Sequence, residues 1–258
     1  MIPIYVGYDP REALVYHVFC QSVIEQSSEL VQFVPLHQEM LHGFDGQQDG
    51  TNAFIFSRYL VPFLQGFAGP AVFVDGDMHV NADITELLDL FDPDKAVQVV
   101  KHDYTTQHPR KYIGTPLAND NLHYPRKNWS SVMIFNCGHE SNKILTPEFV
   151  SDAGGAFLHR FQWLNDDEIG ELPKEWNWLE GEYYHNPHAK LVHQTLGSPA
   201  FEHYSKSDSS ADWNTFLLGA LHMEGERQVE IVRRAHWHNR PAEVRRREVL
   251  RNQEVSER

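Results

Sequence analysis

The stretch at residues 71–80, Ala-Val-Phe-Val-Asp-Gly-Asp-Met-His-Val, constrains the fold of this chain more than any other. Its four leading apolar residues are typical of a strand that is covered on both faces of a sheet. Asp75 and Asp77 follow at the carboxyl end of that strand, where open α/β sheets bind ligands. Their side chains point the same way, and Gly76 between them lets a ligand approach the backbone. The stretch predicts a site for a hard divalent cation, Mn²⁺ or Mg²⁺, although Asp-Gly-Asp alone is also a common solvated turn.

A capped helix comes after the acidic pair, because Asp83 precedes a Glu and three leucines at helical spacing. Residues 73–78 followed by 83–87 resemble the metal-binding region of nucleotide-sugar glycosyltransferases of the GT-A fold. They are most similar to the retaining glycosyltransferase family 8, which includes glycogenin and bacterial lipopolysaccharide galactosyltransferases. The resemblance implies a GT-A-type, Rossmann-like α/β fold, with a mixed sheet flanked by helices and a helical C-terminal extension. It further implies a hexosyltransferase that moves a sugar from a UDP-sugar to an acceptor hydroxyl, with a bound metal and retention of configuration.

The N-terminus is predicted to form a strand, a short turn and a helix that ends near Gln26. This is how a nucleotide-binding half-sheet begins. By the resemblance, the base and ribose of the donor are held by Tyr8, Asp9 and Tyr16. A purely structural alternative stays open for Asp9, which precedes Pro10 and can cap the helix.

Arg58 is a single cation within the apolar stretch 54–64, which is predicted to be a largely buried helix. An unpaired buried charge is costly, so Arg58 needs an anionic partner. A carboxylate of the Asp-x-Asp region or a donor phosphate would serve. The resembling family carries a similar arginine before its metal strand, which implies a donor-binding role, and a purely structural ion pair is the alternative.

Two later segments are candidates for contact with the sugar or the acceptor. Residues 102–127 form a long polar connection of the kind that acts as a lid or binding loop. Residues 128–138 lead from polar residues into a buried strand and resemble the family's Asn-Ser-Gly-apolar-Asn segment. Ser and Asn can bond sugar hydroxyls without adding charge, so Asn136 is predicted to contact the donor, with a turn or cap as the alternative.

The acidic residues 165–168 resemble the family's Asp-Gln-Asp region, whose carboxylates bind the donor sugar. This implies catalytic roles for Asp166 and for Asp167, which stands where the family has Gln. A solvated charge run at a helix start is the alternative.

His193 matches the first residue of the family's His-x-x-Gly-x-x-Lys-Pro-Trp signature, which implies that it completes the metal site. The chain departs from that signature afterwards, because Pro199-Ala200-Phe201 stands in the region of Lys-Pro-Trp. The contact that the family's lysine makes with the diphosphate is therefore missing from this segment.

Composition limits the size of the core, the kinds of partner and the expected location of the protein. The 258 residues are 41% hydrophobic, enough for one sizeable core, and the formal net charge of −14 argues against a nucleic-acid partner. No apolar run reaches the ~20 residues of a membrane span, and no signal peptide is recognised. We therefore expect a cytoplasmic protein with a catalytic domain over residues 1–204 and a polar linker with a helical extension over 205–258, which can serve a homo-oligomer contact. The acceptor, whether glycan, lipid or protein, stays open.

Two other functions compete with sugar transfer. A haloacid-dehalogenase-type phosphatase also presents Asp-x-Asp after an apolar strand, with Asp75 as nucleophile and Asp77 as acid/base. That motif normally ends the first strand, whereas at least two strands precede it here. A nucleotide- or glycan-binding relative without turnover is the second alternative, suggested by the missing Lys-Pro-Trp.

Overall fold

A computed structural model describes residues 3–41, 44 and 52–221 of the chain. The strands in these residues are β1 Pro3–Gly7, β2 Gln32–Leu36, β3 Pro70–Val74, β4 Met78–Val80, β5 Val97–Val99, β6 Arg110–Lys111, β7 Asn119–Asp120, β8 Val132–Asn136, β9 Ile169–Glu171, β10 Trp178–Leu179 and β11 Leu191–His193. The α-helices are α1 Ala13–Gln26, α2 Val61–Leu64, α3 Thr85–Leu88, α4 Pro147–Asp152, α5 Gly155–His159 and α6 Ser210–Ala220.

The main sheet has six strands in the order β2-β1-β3-β8-β5-β9. The β1, β2 and β3 strands are parallel, β8 runs antiparallel to both of its neighbours, and β9 is parallel to β5. The carboxyl ends of β1, β3, β5 and β9 therefore meet at one edge of the sheet, together with the amino end of β8. The predicted α/β fold with a mixed sheet is confirmed.

The central strand β3 is buried on both faces, as its unbroken apolar run predicts. Ala71 and Phe73 pack into one half of the core, and Val72 and Val74 pack into the other, all with no exposed surface. The first half of the core contains the side chains of the 54–61 segment, and the second contains the inner face of α1. Burial on both sides holds the end of β3 in a rigid position.

The 54–64 segment is less regular than its apolar content suggests. A turn leads into the 3₁₀ helix Ser57–Leu60 and then into the single turn of α2. Pro62 explains the break, because it has no backbone N–H to donate to the carbonyl of residue 58 and thus cannot continue an α-helix through this point. Arg58 lies in the 3₁₀ turn and is 3% exposed.

The small sheet β10-β11-β4 extends the edge at which β3 ends. Strand β4 starts directly after the acidic pair and is antiparallel to β11, with Met78 opposite His193. The β10 strand is parallel to β11 on its other side. Because of this pairing, the end of β11 comes beside the acidic pair.

Helix α6 packs against α1 through Trp213 and Phe216, which contact Val15 and Val18. The backbone N–H of Ser209 donates to Glu180 at 2.6 Å, so the residues before α6 are also attached to the small sheet. The predicted domain boundary at residue 204 thus separates parts that pack together. The predicted helix at 233–258 lies outside the described residues. No helix within 3–41 or 52–221 is long and apolar enough to cross a membrane.

Candidate active site

A pocket of about 600 Å³, open to solvent, lies at the carboxyl edge of the main sheet. Six of the residues singled out from the sequence line it, namely Asp9, Tyr16, Asp75, Gly76, Asp77 and His193. The pocket is therefore the candidate ligand-binding site among the described residues.

Gly76 is required by the packing of the backbone at this edge. A Cβ atom at this position would lie 2.3 Å from the carbonyl oxygen of Gly7, well inside contact distance. The neighbouring Asp75 N–H donates to the carbonyl of Ser131 at 2.9 Å. The acidic turn is thus held between the ends of β1 and β8, which sets the directions of both carboxylates.

Asp75, Asp77 and His193 come together at the pocket, and their ligand atoms lie within 4.8 Å of one another. Asp77 Oδ1 is buried without a hydrogen bond and lies 3.4 Å from His193 Nε2. Asp77 Oδ2 accepts a hydrogen bond from the Tyr112 hydroxyl at 2.8 Å. A proton on His193 or a divalent cation between the side chains would satisfy this oxygen. The donor set of two carboxylates and one imidazole fits Mn²⁺ or Mg²⁺.

Asn177 fixes the orientation of the His193 ring by contacting Nδ1, whereas Asp77 lies near Nε2. Its Nδ2 donates to Ser131 Oγ at 2.8 Å and to the carbonyl of Asn128 at 3.2 Å. A carbonyl can only accept, so the amide oxygen of Asn177 must face His193 Nδ1, 3.2 Å away. His193 Nδ1 therefore carries a proton, and in the neutral ring the Nε2 lone pair faces Asp77. Such outer partners set the tautomer of a metal-binding histidine.

The variant Asn177→Ala is expected to lower the affinity for Mn²⁺ by about 10–100-fold, because the His193 ring loses its orienting acceptor. Calorimetric titration of Mn²⁺ into the protein measures this. Asn214→Ala, at an exposed position of α6, is the matched control and should bind Mn²⁺ like the unmodified chain. Equal Mn²⁺ affinity in a folded Asn177→Ala protein would show that His193 is not a ligand oriented in this way.

Arg58 forms a buried ion pair with Asp75. Its NH1 lies 2.8 Å from Asp75 Oδ1 and donates to the carbonyl of Ser130 at 2.9 Å. The guanidinium also lies over the rings of Phe54 and Phe73, with centroid distances of 5.2 and 5.0 Å. The anionic partner predicted for Arg58 is therefore a carboxylate of the Asp-x-Asp turn.

Burial governs the protonation of the acidic pair. Burial and the Asp77 charge raise the pKa of Asp75 to about 6, against the opposing effect of Arg58. Burial would also raise the pKa of Asp77, but His193 and the Tyr112 hydroxyl together hold it below its ordinary value. The pair therefore contains one strongly anionic carboxylate, Asp77, and one that is protonated more readily.

The three residues predicted to hold the base and ribose differ in their contacts and in their positions at the pocket. Asp9 caps the turn before α1, and its oxygens accept from Arg11 and from the backbone N–H of Ala53. Tyr16 lines the pocket, and Tyr8 meets it edge-on with ring centroids 5.2 Å apart. Since the Asp9 carboxylate is engaged by these donors, its capping role is established by the contacts, and its role toward a nucleotide stays a prediction.

Asn136 does not lie at the pocket, contrary to the prediction from sequence. Because β8 is antiparallel to β3, Asn136 pairs with Pro70 at the opposite end of that strand from Asp75. Its side-chain amide donates to the carbonyl of Pro93 at 2.8 Å. Ser130 and Ser131, at the other end of β8, are the members of this segment that lie beside the acidic turn.

Asp166 and Asp167 are also placed away from the pocket. They belong to a 3₁₀ turn at the amino end of β9, which is the edge of the sheet opposite the acidic turn. The Asp166 side chain is 88% exposed and pairs with Arg126. The structure therefore does not bring Asp166 and Asp167 together with Asp75, Asp77 and His193, and their catalytic roles stay predictions. Asn177, in the 3₁₀ turn Lys174–Asn177 that follows β9, contacts His193.

Several pocket residues were not singled out from the sequence, including Glu12, Lys111, Tyr112 and Asn128. Burial and the charges of Asp77 and Asp9 raise the pKa of Glu12 to about 8. Lys111 and Tyr112 come from the connection 102–127, which the sequence marked as a binding loop by its length alone. Its short hairpin β6-β7 brings them to the pocket. Nothing local in the sequence indicates which of its side chains point inward.

Solved structures with a similar fold include several glycosyltransferases. The bifunctional glycosyltransferase WbbM has a TM-score of 0.59 and 14% identity, over 90% of this chain and 51% of WbbM. This chain spans about half the length of that protein. An active-site mutant of LgtC has a TM-score of 0.56 and 13% identity, over 88% of this chain and 98% of LgtC. GlyE of Streptococcus pneumoniae has a TM-score of 0.53 and 12% identity, over 91% of this chain and 63% of GlyE.

At these identities the likeness establishes the fold, which is that of GT-A glycosyltransferases. No protein-family model matches the sequence. Protein CDI of Arabidopsis thaliana is 44% identical over 224 residues, which are 81% of this chain and 83% of that protein. The chain belongs to the family of Protein CDI.

Proposed function

We propose that this protein transfers a sugar from a UDP-sugar to an acceptor hydroxyl, with a divalent cation bound and with retention of configuration. The observation that carries the proposal is the cluster of Asp75, Asp77 and His193 at the carboxyl edge of a GT-A-type sheet. LgtC, a neighbour by fold, has been solved in complex with donor and acceptor sugar analogues. Two adjoining sugar sites are therefore part of the proposal.

The chemistry of sugar transfer matches what the residues of this site offer. When the bond to the sugar breaks, negative charge grows on the leaving diphosphate and must be neutralised. Asp75, Asp77 and His193 would hold Mn²⁺ or Mg²⁺, which supplies Lewis-acid stabilisation of that charge. Tyr112, from the connection 102–127, borders the same site and donates to Asp77.

A phosphatase that uses Asp75 as nucleophile is not favoured by the geometry. An attacking carboxylate needs a free oxygen aimed at phosphorus, whereas Asp75 Oδ1 is held 2.8 Å from Arg58 and the side chain is 12% exposed. The strand that precedes Asp75 is also the third along the chain and lies between β1 and β8. The Asp75 carboxylate is thus held in a fixed position by Arg58.

Calorimetric titration of UDP into the protein, with and without Mn²⁺, is the direct test. We expect UDP to bind with Mn²⁺ and much more weakly without it. Release of UDP from UDP-sugars is then measured with and without candidate acceptors. Absence of UDP binding under every metal condition would refute the proposal. UDP binding with no donor turnover, including hydrolysis, would favour the non-catalytic relative.

A further inference from the structure

The pocket combines several carboxylates with few cations. Among the described residues that line it, Asp9, Glu12, Asp75 and Asp77 are acidic, and Lys111 is the one lysine or arginine. A diphosphate carries several negative charges, and a single divalent cation held by two carboxylates leaves much of that charge unbalanced. Recognition of a diphosphate here calls for an additional cation from the protein.

The other cations near the pocket are engaged by protein groups. Arg58 is held by Asp75 and by the carbonyl of Ser130. Lys127 donates to the Asn121 side chain and to the carbonyl of Leu122. Moving either of them onto a ligand would leave a buried partner unsatisfied.

The segment after His193 does not supply this charge. Residues 194–201 contain neither lysine nor arginine. Lys190, just before β11, pairs with Glu86, and Lys206 is exposed outside the pocket. The additional cation must therefore come from another part of the chain.

Lys111 differs from these cations. Within the described part of the chain, its ammonium has no ion pair or hydrogen bond and lies 5.8 Å from the centroid of the Tyr112 ring. Its charge also acts on Asp75, Asp77 and Glu12. An ammonium left free beside a cation site is available to a ligand that binds there.

The hairpin β6-β7 brings Lys111 to the lining of the pocket that contains Asp75, Asp77 and His193. Side chains alternate along a strand, so Arg110 is directed away from the pocket and faces Asp120, with 59% of its side chain exposed. Tyr112 anchors the hairpin, because its hydroxyl donates to Asp77 and its backbone N–H donates to the carbonyl of Leu196 at 2.7 Å. Lys111 is thus the direct neighbour of a residue that touches a predicted metal ligand.

We propose that Lys111 contacts the diphosphate of the donor beside the divalent cation. The proposal rests on the proposed function, which supplies the diphosphate. A lysine ammonium is a compact point charge suited to phosphate oxygens. In this chain the counter-charge comes from a hairpin in the connection between β5 and β8, rather than from the segment that follows β11.

The test compares UDP with uridine, which has no phosphate, in the presence of Mn²⁺. Lys111→Met is expected to weaken UDP binding by about 10–100-fold, since a hydrogen bond to a charged group is lost. Its effect on uridine, followed by ligand-observed NMR, should be less than about twofold. Arg110→Met, at the adjacent outward position, is the matched control and should leave UDP binding unchanged. Lys111→Arg should restore most of the affinity.

The possible outcomes separate this inference from the proposed function. If the unmodified protein binds UDP with Mn²⁺ and Lys111→Met binds it equally well, the role of Lys111 is refuted and the proposed function stands. An equal loss for UDP and uridine would assign Lys111 a structural role in the hairpin and also refute the proposal. If the unmodified protein does not bind UDP under any metal condition, the proposed function fails and this inference fails with it.

Discussion

Replacing Asp77 with asparagine is expected to lower the affinity of the protein for Mn²⁺ by more than about 100-fold. Loss of a residue that only supports a metal ligand already costs about 10–100-fold, and Asp77 would be a ligand itself. Asparagine has nearly the same shape and can still accept from Tyr112, but it removes the negative charge from a buried oxygen that has no hydrogen bond. Calorimetric titration of Mn²⁺, followed by UDP, measures both losses.

Asp166→Asn is the matched control for this variant. It makes the same chemical change at a carboxylate that is 88% exposed and lies at the opposite edge of the sheet. We expect Mn²⁺ and UDP to bind to Asp166→Asn as they do to the unmodified protein. A large loss in Asp166→Asn, with Asp77→Asn unaffected, would contradict the position of the site.

Replacing Arg58 with methionine is expected to lower the free energy of unfolding by about 3–5 kcal/mol, because Asp75 must then be buried without its partner, either as an unpaired charge or in the protonated form. The side chains of the pair are only 4% and 12% exposed, so solvent screens them little. Methionine preserves apolar contact with the rings of Phe54 and Phe73. Urea unfolding followed by circular dichroism measures the change.

Two further variants test whether the loss of unfolding free energy comes from the broken ion pair or from the loss of an arginine in general. Arg110→Met removes an arginine from an exposed pair and should change the free energy of unfolding by less than about 0.5 kcal/mol. Adding Asp75→Asn to Arg58→Met should recover part of the loss, because the unpaired charge is then gone. If the double variant is no more stable than Arg58→Met, the cost does not arise from the Asp75 charge.

Arg58 acts on the acidic turn through its ion pair with Asp75. The guanidinium holds Asp75 Oδ1, so it can orient one carboxylate of the cation site without touching the donor. Asn177 acts in the same way on His193, and Tyr112 on Asp77. Each member of the cluster thus has a partner that sets its direction, which is how precise metal sites are held.

The sequence by itself predicted the parts of this protein that depend on local pattern. An unbroken apolar run that ends in Asp75 and Asp77 can be recognised from neighbouring residues, and it proved to be the central strand β3. The need of Arg58 for an anion followed from one charge in an apolar segment. His193 was found through the resemblance of its segment to a family, and the structure brings it to the acidic pair.

Only the tertiary structure decided which distant segments meet at the pocket. Because β8 is antiparallel to β3, Asn136 lies at the edge of the sheet opposite the acidic turn. Asp166 and Asp167, at the start of β9, lie at that edge as well. Strand direction depends on pairing between residues far apart in sequence, and the periodicity of a short strand is the same in both directions. For the same reason, the inward positions of Lys111 and Asn177 could not be predicted, because they depend on a hairpin and a loop that are placed by contacts across the whole fold.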